Sequence, residues 1–444
     1  MLRKLRYLSI ILIALVFVGC DNFLDIQPIG KVIPKTGKEF RGLLTEAYNS
    51  IPDNRGMTTF RTDEMVMNSA NSSTTDLDSF FDIWTWNDVN PADGTFSFGW
   101  RNYYYTLFIA NYVIENQATI TEATPAEIEQ LVGESYMLRA YCHFLLANLY
   151  GEPYNKAADV TTSKAVPLKL SSDVEEIPFR DTLDKIYESI LSDLGQAESY
   201  INIENWDLGY NYRFNKLSVD AFRSRVLLYM GEWAESLTAS QDVLAVKPEL
   251  SDLNVELPNH YKSVESIVAL EEIMTSNYIN AGGVDRNFYR RYPSGDLRSK
   301  TYFKALSASN ISLLKGGSIQ FRCTFRTGEI YLNAAEAAAN MGSLEEARTY
   351  LLALDKTRYS ESTYAKKVTA IEAMGQEELL VEIYDERARE LAFEGHRWFD
   401  LRRTTQPRME KAYGQERYVI EENDPRYTLR IPSEAIEANP NLTL

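Results

Sequence analysis

The chain contains few of the side chains that most often carry metal-dependent or nucleophilic chemistry. Its 444 residues include three cysteines and three histidines. His143, His260 and His396 are far apart in the sequence, and none has metal-ligand spacing or stands beside an obvious nucleophile. No glycine-rich stretch has the flanking pattern of a phosphate-binding loop. The sequence therefore predicts a protein without a cofactor or metal, and one that is not an enzyme of these kinds.

Positive charge is also scarce. The chain carries 46 lysines and arginines against 63 acids, a formal charge of −17. A chain this acidic is not attracted to phosphate backbones or anionic membrane surfaces, so we expect no nucleic acid partner. The acids could include a carboxylate pair of the glycoside hydrolase type, about 5–10 Å apart. No motif singles out such a pair, and a surface glycoside hydrolase is kept only as the less favoured alternative.

One long apolar run is present, at the start of the chain. Arg3, Lys4 and Arg6 precede it, and it is shorter than the roughly 20 apolar residues that a membrane-spanning helix needs. Gly19 directly before Cys20 resembles a bacterial lipobox. We therefore interpret residues 1–19 as a lipoprotein signal peptide that is cleaved before Cys20, with lipid on the Cys20 sulfur, and residues 20–444 as one domain.

Two further cysteines remain, Cys142 and Cys323. They could form a disulfide, or each could pack as a small hydrophobic side chain. Cys142 lies in a helical run, which favours packing.

Helical periodicity covers much of the chain. It predicts a long helix over residues 125–150, ended by Gly151, and helices over 38–48 and 181–201. Residues 218–246 break at Gly231 into two helices, and residues 327–358 do so around Gly342. Both pairs have spacings similar to those of tetratricopeptide repeats, although generic helical hairpins would look much the same.

The stretch 378–403 has the densest charge pattern. Its apolar residues recur every three or four positions, which predicts a helix with one buried face. Its acids and arginines predict ion pairs on the other face, such as Asp385–Arg389 and Glu394–Arg397. Gly395 within such a helix indicates a close backbone approach. We interpret this charge pattern as structural.

Residues 385–403, DERARELAFEGHRWFDLRR, resemble the signature of the SusD/RagB family. Other blocks are similar to the family in the same order along the chain. They include Cys20-Asp-Asn-Phe-Leu-Asp, Leu138-Arg-Ala-Tyr, Ile431-Pro-Ser-Glu and Asn439-Pro-Asn. The resemblance implies an all-α, SusD-like fold with tetratricopeptide-like helix pairs and long ligand-binding loops. It also implies a nutrient-binding lipoprotein without catalysis, anchored through Cys20 in the outer membrane and facing the cell exterior.

Two loops combine rings with hydrogen-bonding groups, as a glycan site requires, because a sugar offers C–H faces for stacking and hydroxyls for polar contacts. The residues expected to bind ligand are Trp84, Trp86, Asn87, Asp88, Tyr278, Asn280, Arg286, Tyr289, Arg290 and Tyr292. Alternatively, each ring only anchors its own loop. The cluster of Arg286, Arg290, Arg291 and Arg298 suggests an anionic or carboxylate-bearing ligand.

The favoured function is thus that of a surface lipoprotein that binds an oligosaccharide and passes it to a SusC-like TonB-dependent transporter. The alternatives are a peptide-binding member of the RagB type, a surface glycoside hydrolase, and a helical scaffold that binds transporter but no small ligand.

Overall fold

The computed structural model describes residues 33–68, 72–307 and 310–443. The predicted signal peptide and Cys20 lie outside these ranges. The α-helices are α1 (Gly37–Ser50), α2 (Asn54–Met57), α3 (Thr74–Trp84), α4 (Trp100–Asn116), α5 (Pro125–Tyr150), α6 (Leu183–Tyr200), α7 (Lys216–Met230), α8 (Trp233–Val246), α9 (Ser276–Ala281), α10 (Arg286–Tyr289), α11 (Arg298–Thr301), α12 (Thr327–Asn340), α13 (Leu344–Arg358), α14 (Glu361–Ala373), α15 (Gln376–Glu390), α16 (Arg397–Arg403) and α17 (Ser433–Ala438).

The strands are short and form two-stranded antiparallel ladders. They are β1 (Met65–Val66) with β3 (Gly283–Val284), β2 (Ser266–Val268) with β6 (Phe325–Arg326), β4 (Phe303–Ala305) with β5 (Ile311–Leu313), and β7 (Met409–Tyr413) with β8 (Glu416–Ile420). The fold is mostly helical, as expected, and the ladders mainly tie loops together. No helix among the described residues is long and apolar enough to cross a membrane.

The longest helix, α5, forms the centre of the core. Thr124 caps its first turn, with Pro125 at the first helical position, and Gly151 ends it. Both signals are readable in the sequence, and the predicted bounds are confirmed. Helix α5 packs against α4 on one side and α6 on the other. Cys142 is buried within it, and both Cys142 and Cys323 are free thiols, so the disulfide alternative is wrong.

The two predicted helix pairs are confirmed. Gly231, with φ of 86°, ends α7, and Gly342, with φ of 79°, follows α12. This left-handed backbone favours glycine, which lets the chain turn back into α8 and α13. Helix α8 also packs against α12, so pairs that are distant in sequence are neighbours in space.

The predicted helix over 378–403 is wrong in one respect, because the structure has two helices. Helix α15 ends at Glu390 and α16 begins at Arg397, with Phe393 (φ 58°) and Gly395 (φ 70°) between them. A Cβ on Gly395 would lie 2.8 Å from the Arg55 Cβ and 2.9 Å from the Arg55 carbonyl oxygen. The expected close backbone approach is therefore confirmed, and it coincides with the break.

The ion pairs of this stretch also differ from those predicted by local spacing. Asp385 pairs with Arg291, and Arg397 pairs with Asp63. Glu394 pairs with Lys315 and Arg326. The charged face is thus buried against other elements, because the arginines there find carboxylates across tertiary contacts.

Candidate functional site

The two predicted ligand loops meet at the Phe96 ring, which is 48% exposed. Its edge contacts Phe80 at a centroid distance of 5.0 Å. Phe80 stacks on Phe60 at 4.5 Å, and Tyr278 from the second loop lies edge-on to both rings. Phe96 is therefore a half-exposed ring supported from below by buried aromatic side chains, an arrangement suited to stacking on a ligand.

Asp82, near the end of α3, holds the first loop in place. Its carboxylate accepts hydrogen bonds from the Ala92 N–H at 2.7 Å and the Thr95 hydroxyl at 3.0 Å. It also accepts one from the Asn87 side chain at 2.8 Å. The Phe96 N–H donates to the Ser79 carbonyl at 3.0 Å. The loop that presents Phe96 is thus anchored by hydrogen bonds to α3.

A small cavity of about 250 Å³ opens on one side of Phe96. Its walls come from both loops and from α2. They are Asp53, Asn54, Met57, Phe96, Ser97, Thr275, Asn277 and Tyr278. Asn54 is 3% exposed, and its Nδ2 has no hydrogen-bond partner among the described residues. A buried donor that the protein leaves unpaired is costly, so an acceptor on a bound ligand would satisfy it.

Asp53 in the same cavity has a perturbed carboxyl group. Burial raises its pKa above the usual value, while a hydrogen bond from the Tyr278 hydroxyl opposes that rise. Burial likewise raises the pKa of Tyr278. The pair forms a polar wall opposite the apolar Met57 and Phe96.

A larger cavity of about 610 Å³ lies on the other side of Phe96 and shares Phe96 and Ser97 with the small one. Its walls are Ile83 of α3, the loop from Asn87 to Phe98 and the C-terminal segment from Thr428 to Ile436, together with Tyr150, Arg180 and Leu442. Cavities of this size accept drug-sized ligands. Together the two cavities form a groove around Phe96, which we call the Phe96 groove.

Trp84 and Trp86 do not line the groove, and this corrects the prediction that they contact ligand. Each is 1% exposed. The Trp84 indole N–H donates to the Met65 carbonyl at 3.0 Å, and that of Trp86 donates to the Arg61 carbonyl at 2.9 Å. The Lys411 ammonium lies over both rings. Both indoles find acceptors inside the fold, so they anchor the loop, which is the alternative stated above.

The polar neighbours of these tryptophans do line the larger cavity. Asn87 and Asp88 are both half-buried there. Asp88 accepts two hydrogen bonds from Arg61, at 2.7 and 2.8 Å. Asn87 is held by Asp82 and by the Asn90 carbonyl. Both side chains are therefore fixed in position at the wall of the groove.

The second loop is divided in the same way. Tyr278 lines the small cavity, whereas Asn280 lines a separate one of about 230 Å³. Tyr292 is buried and donates its hydroxyl hydrogen to the Arg389 carbonyl at 2.8 Å, which corrects its assignment as an exposed ligand contact. Tyr289 is half-buried against Phe303, while Arg286 and Arg290 are exposed. Tyr289, Arg286 and Arg290 line none of these three cavities.

The predicted arginine cluster is not a free cationic site. Arg298 is fully buried and pairs with Asp296, Glu386 and Glu390. Arg291 pairs with Asp63 and Asp385. Carboxylates of the protein neutralise these two, while Arg286 and Arg290 are exposed, so an anionic ligand at the cluster stays a prediction that rests on those two alone.

Sequence reasoning missed Phe96, Asn54 and Asn277 as site residues. Phe96 is the first ring after the turn-forming run Pro91-Ala-Asp-Gly-Thr, and a ring beside such a run has few local packing partners. That signal could have identified it. Asn54 carries no comparable local signal, because its unpaired state depends on the surrounding fold.

No group of histidines, cysteines and carboxylates among the described residues could hold a metal ion. The groove offers a ring, amides, hydroxyls and the carboxylates of Asp53 and Asp88, all of which can contact a ligand. Fold and groove together thus define a helical ligand-binding protein.

Comparison with known proteins agrees with this class. A family model described as starch-binding and associating with the outer membrane matches residues 22–228, and the SusD family model matches residues 259–443. The chain belongs to the SusD/RagB family, a class of outer-membrane-associated, carbohydrate-binding proteins without catalytic activity.

Individual relatives are distant. SusD-like protein P38 of Formosa agariphila is 25% identical over 253 residues, an alignment that covers 55% of this chain but only 46% of that relative. A SusD superfamily protein from Bacteroides fragilis superposes with a TM-score of 0.75 at 22% identity, covering 92% of this chain and 99% of the other. A SusD-like carbohydrate-binding protein from Bacteroides vulgatus does so with a TM-score of 0.70 at 19% identity, covering 92% and 97%. These structures confirm the SusD-like fold.

Proposed function

We propose that the protein binds an oligosaccharide in the Phe96 groove and delivers it to a SusC-like TonB-dependent transporter. The observation that carries the proposal is the 48% exposed Phe96 ring between two cavities with polar walls. A sugar ring can stack its C–H face on Phe96 while its hydroxyls reach polar groups on either side. The family description and the carbohydrate-binding protein from Bacteroides vulgatus support a glycan as the ligand class.

Each cavity has a distinct role in this proposal. In the small cavity the unpaired Asn54 Nδ2 donates to a sugar oxygen, beside Asp53, Asn277 and Tyr278. In the larger cavity, Asn87 and Asp88 contact the following sugar units. The small cavity thus takes one end of the chain, and the larger one takes its continuation.

Titration calorimetry of the purified protein against starch-derived, other neutral and acidic oligosaccharides, and against peptides, tests the proposal. We expect saturable binding of a glycan that Phe96→Ala weakens roughly fivefold to tenfold, since an aromatic contact contributes about 0.5–1.5 kcal/mol beyond the area it buries. Tyr105→Ala is the matched control. Tyr105 is 41% exposed, lies outside both cavities, and donates its hydroxyl hydrogen to Glu46.

Other outcomes would contradict the proposal. Binding of peptides and of no glycan would favour the peptide-capturing alternative, and release of shortened saccharides would favour a hydrolase. Glycan binding that Phe96→Ala and Tyr105→Ala affect equally would exclude the groove as the site.

We further propose that lipid on Cys20 anchors the protein in the outer membrane, facing the cell exterior. The lipobox-like sequence and the outer-membrane association of the family support this. Cys20→Ala should move the protein from the membrane fraction to the soluble fraction without changing glycan affinity. Delivery is tested by co-purification of the anchored protein with a TonB-dependent barrel from solubilised outer membranes. Absence of any barrel would contradict the transporter partner.

A further inference from the structure

A cavity of about 500 Å³ that shares no residue with the Phe96 groove opens between α1, the start of α5 and the loop after α6. Ala123, Ala126, Leu131, Ile203 and Trp206 form its apolar wall. Its charged groups are the cations Lys38, Arg41 and Arg213 and the carboxylates of Glu122 and Glu127, and that of Glu127 accepts hydrogen bonds from Thr124. The volume lies within the range of small-ligand sites.

Most polar groups in this wall already have partners within the protein. Arg41 makes two hydrogen bonds to Glu134, at 2.8 and 3.0 Å. Gln130 donates to Glu134 and accepts from the Asn202 and Ile203 N–H groups. The Asn202 side chain donates to the Ala126 carbonyl at 2.8 Å. These groups shape the cavity but have little capacity left for a ligand.

Arg213 is different. Its guanidinium carbon lies 4.5 Å from the Tyr210 ring centre, 4.9 Å from that of Trp206 and 5.3 Å from that of Tyr212. Its Nε donates to the Tyr212 hydroxyl at 3.2 Å. No carboxylate or carbonyl of the described residues accepts from its two terminal nitrogens. Three rings therefore hold a planar cation in place while its paired donors remain available.

Arg139, elsewhere in the fold, is a guanidinium that has both an aromatic neighbour and a carboxylate partner. Its guanidinium lies 5.1 Å from the Tyr136 ring centre and also makes two hydrogen bonds to Asp193, at 2.9 and 2.6 Å. Arg213 has the aromatic support without the carboxylate. Bidentate pairing with a carboxylate is the geometry that a fixed guanidinium favours.

We propose that this cavity is a second binding site, for a saccharide that carries a carboxylate. The carboxylate pairs with Arg213, assisted by Lys38, which has no partner among the described residues, and the C–H face of the sugar packs on the apolar wall. The site is independent of the Phe96 groove and does not rest on the function proposed for it.

The test is calorimetric titration of the full mature chain with trigalacturonate and, as a neutral match, maltotriose. We expect trigalacturonate to bind and Arg213→Gln to weaken it about tenfold or more, because hydrogen bonds between charged groups are the strong ones. Lys38→Gln should weaken it less. Added salt should weaken binding, since the contact is between charges. Arg417→Gln, an exposed arginine outside the cavity, is the control.

The outcomes separate the two sites. If trigalacturonate fails to bind, or binds equally well to Arg213→Gln, the proposal is overturned. If Phe96→Ala removes its binding and Arg213→Gln does not, the acidic sugar occupies the groove, which also overturns this proposal. If Arg213→Gln does not fold, the test rests on Lys38→Gln, because Lys38 is exposed. An affinity for trigalacturonate that Lys38→Gln leaves unchanged would then count against the site.

Discussion

The charged cluster around Glu390 and the Phe96 groove differ in how completely their polar groups are paired. Beneath α15, Glu390 is fully buried and accepts hydrogen bonds from Arg298, Arg326 and Arg358 at 2.8–2.9 Å. Around Phe96, by contrast, the buried Asn54 donor is unpaired and the ring is half-exposed. The carboxylate of Glu390 is fully paired with its three arginines, a cluster that we call the saturated region, whereas the Asn54 donor has no partner.

This difference identifies function better than charge density does. A cluster of buried acids and arginines resembles an active site, because such clusters perturb pKa values. Burial by itself raises the pKa of Glu390, but Arg358, Arg326 and Arg298 outweigh burial and hold that pKa well below its usual range. A carboxylate that stays ionised and fully paired has no capacity left for a substrate. An unpaired donor that lines a cavity, as Asn54 does, is the better candidate for binding.

The largest expected effect comes from breaking the saturated region. Glu390→Ala would leave three buried guanidinium groups without their shared carboxylate, and breaking a buried ion pair in this way costs about 3–5 kcal/mol. We expect a loss of that size in the free energy of unfolding, measured by urea denaturation. Glu377→Ala, an exposed acid on the same helix, is the control. Equal stability of the two variants would show that the network is not structural.

The helices could be predicted from the sequence better than the break between α15 and α16. The ends of α5 depend on Thr124, Pro125 and Gly151, which act within one turn. The break after Glu390 instead accompanies the packing of Gly395 against the Arg55 backbone, a contact between distant parts of the chain. Helical periodicity depends on local sequence only. The apolar pattern continues past Glu390, so it predicted one helix where the structure has two.

The candidate site was predicted as a pair of loops, and three of its rings, Trp84, Trp86 and Tyr292, are buried instead for a similar reason. Trp84 and Trp86 were predicted to bind ligand because they are flat rings beside the hydrogen-bonding groups of Asn87 and Asp88. Whether an indole is exposed depends on whether the fold supplies an acceptor for its N–H, and here the carbonyls of Met65 and Arg61 do so. Such pairings cannot be read from a single sequence, whereas the loops themselves are marked by turn residues.

Glu64 contacts both the segment after α15 and the second ligand loop, and it allows a pH test. It accepts a hydrogen bond from the Phe393 N–H at 2.7 Å, and its carbonyl accepts one from the Asp285 N–H of the second ligand loop. Burial raises its pKa to about 7, from an ordinary value of 4.5. Between these pH values the folded protein holds a proton on Glu64 that the unfolded chain has lost. The contribution of protonated Glu64 to the free energy of unfolding is therefore full below pH 4.5 and is lost as the pH rises through about 7.

Glu64→Gln keeps the acceptor and cannot ionise. We expect it to be as stable as the parent near about pH 5 and more stable by about 1–3 kcal/mol near about pH 8. Urea denaturation of both proteins at the two pH values measures the difference in their free energies of unfolding. The pH dependence that other groups give to both proteins cancels in that difference. Glu129→Gln, on the exposed face of α5, should show no such divergence. A variant less stable at the higher pH would mean that Glu64 is ionised and usefully paired.

The smallest effect on stability, and the most specific effect on binding, is expected at Asn54. Asn54→Ala removes a donor that has no partner in the protein, so we expect the free energy of unfolding to change by less than about 1 kcal/mol. A bound sugar should lose one hydrogen bond, and its affinity should fall roughly fivefold by calorimetry. Asn116→Ala is the control and should give the opposite pattern. The Asn116 side chain lies outside both cavities and donates to the Tyr112 carbonyl. Losing that hydrogen bond should lower the free energy of unfolding and leave the affinity for the sugar unchanged. If Asn54→Ala instead destabilised the fold and left glycan binding intact, Asn54 would belong with the saturated region, and the unpaired donor would no longer mark the ligand site.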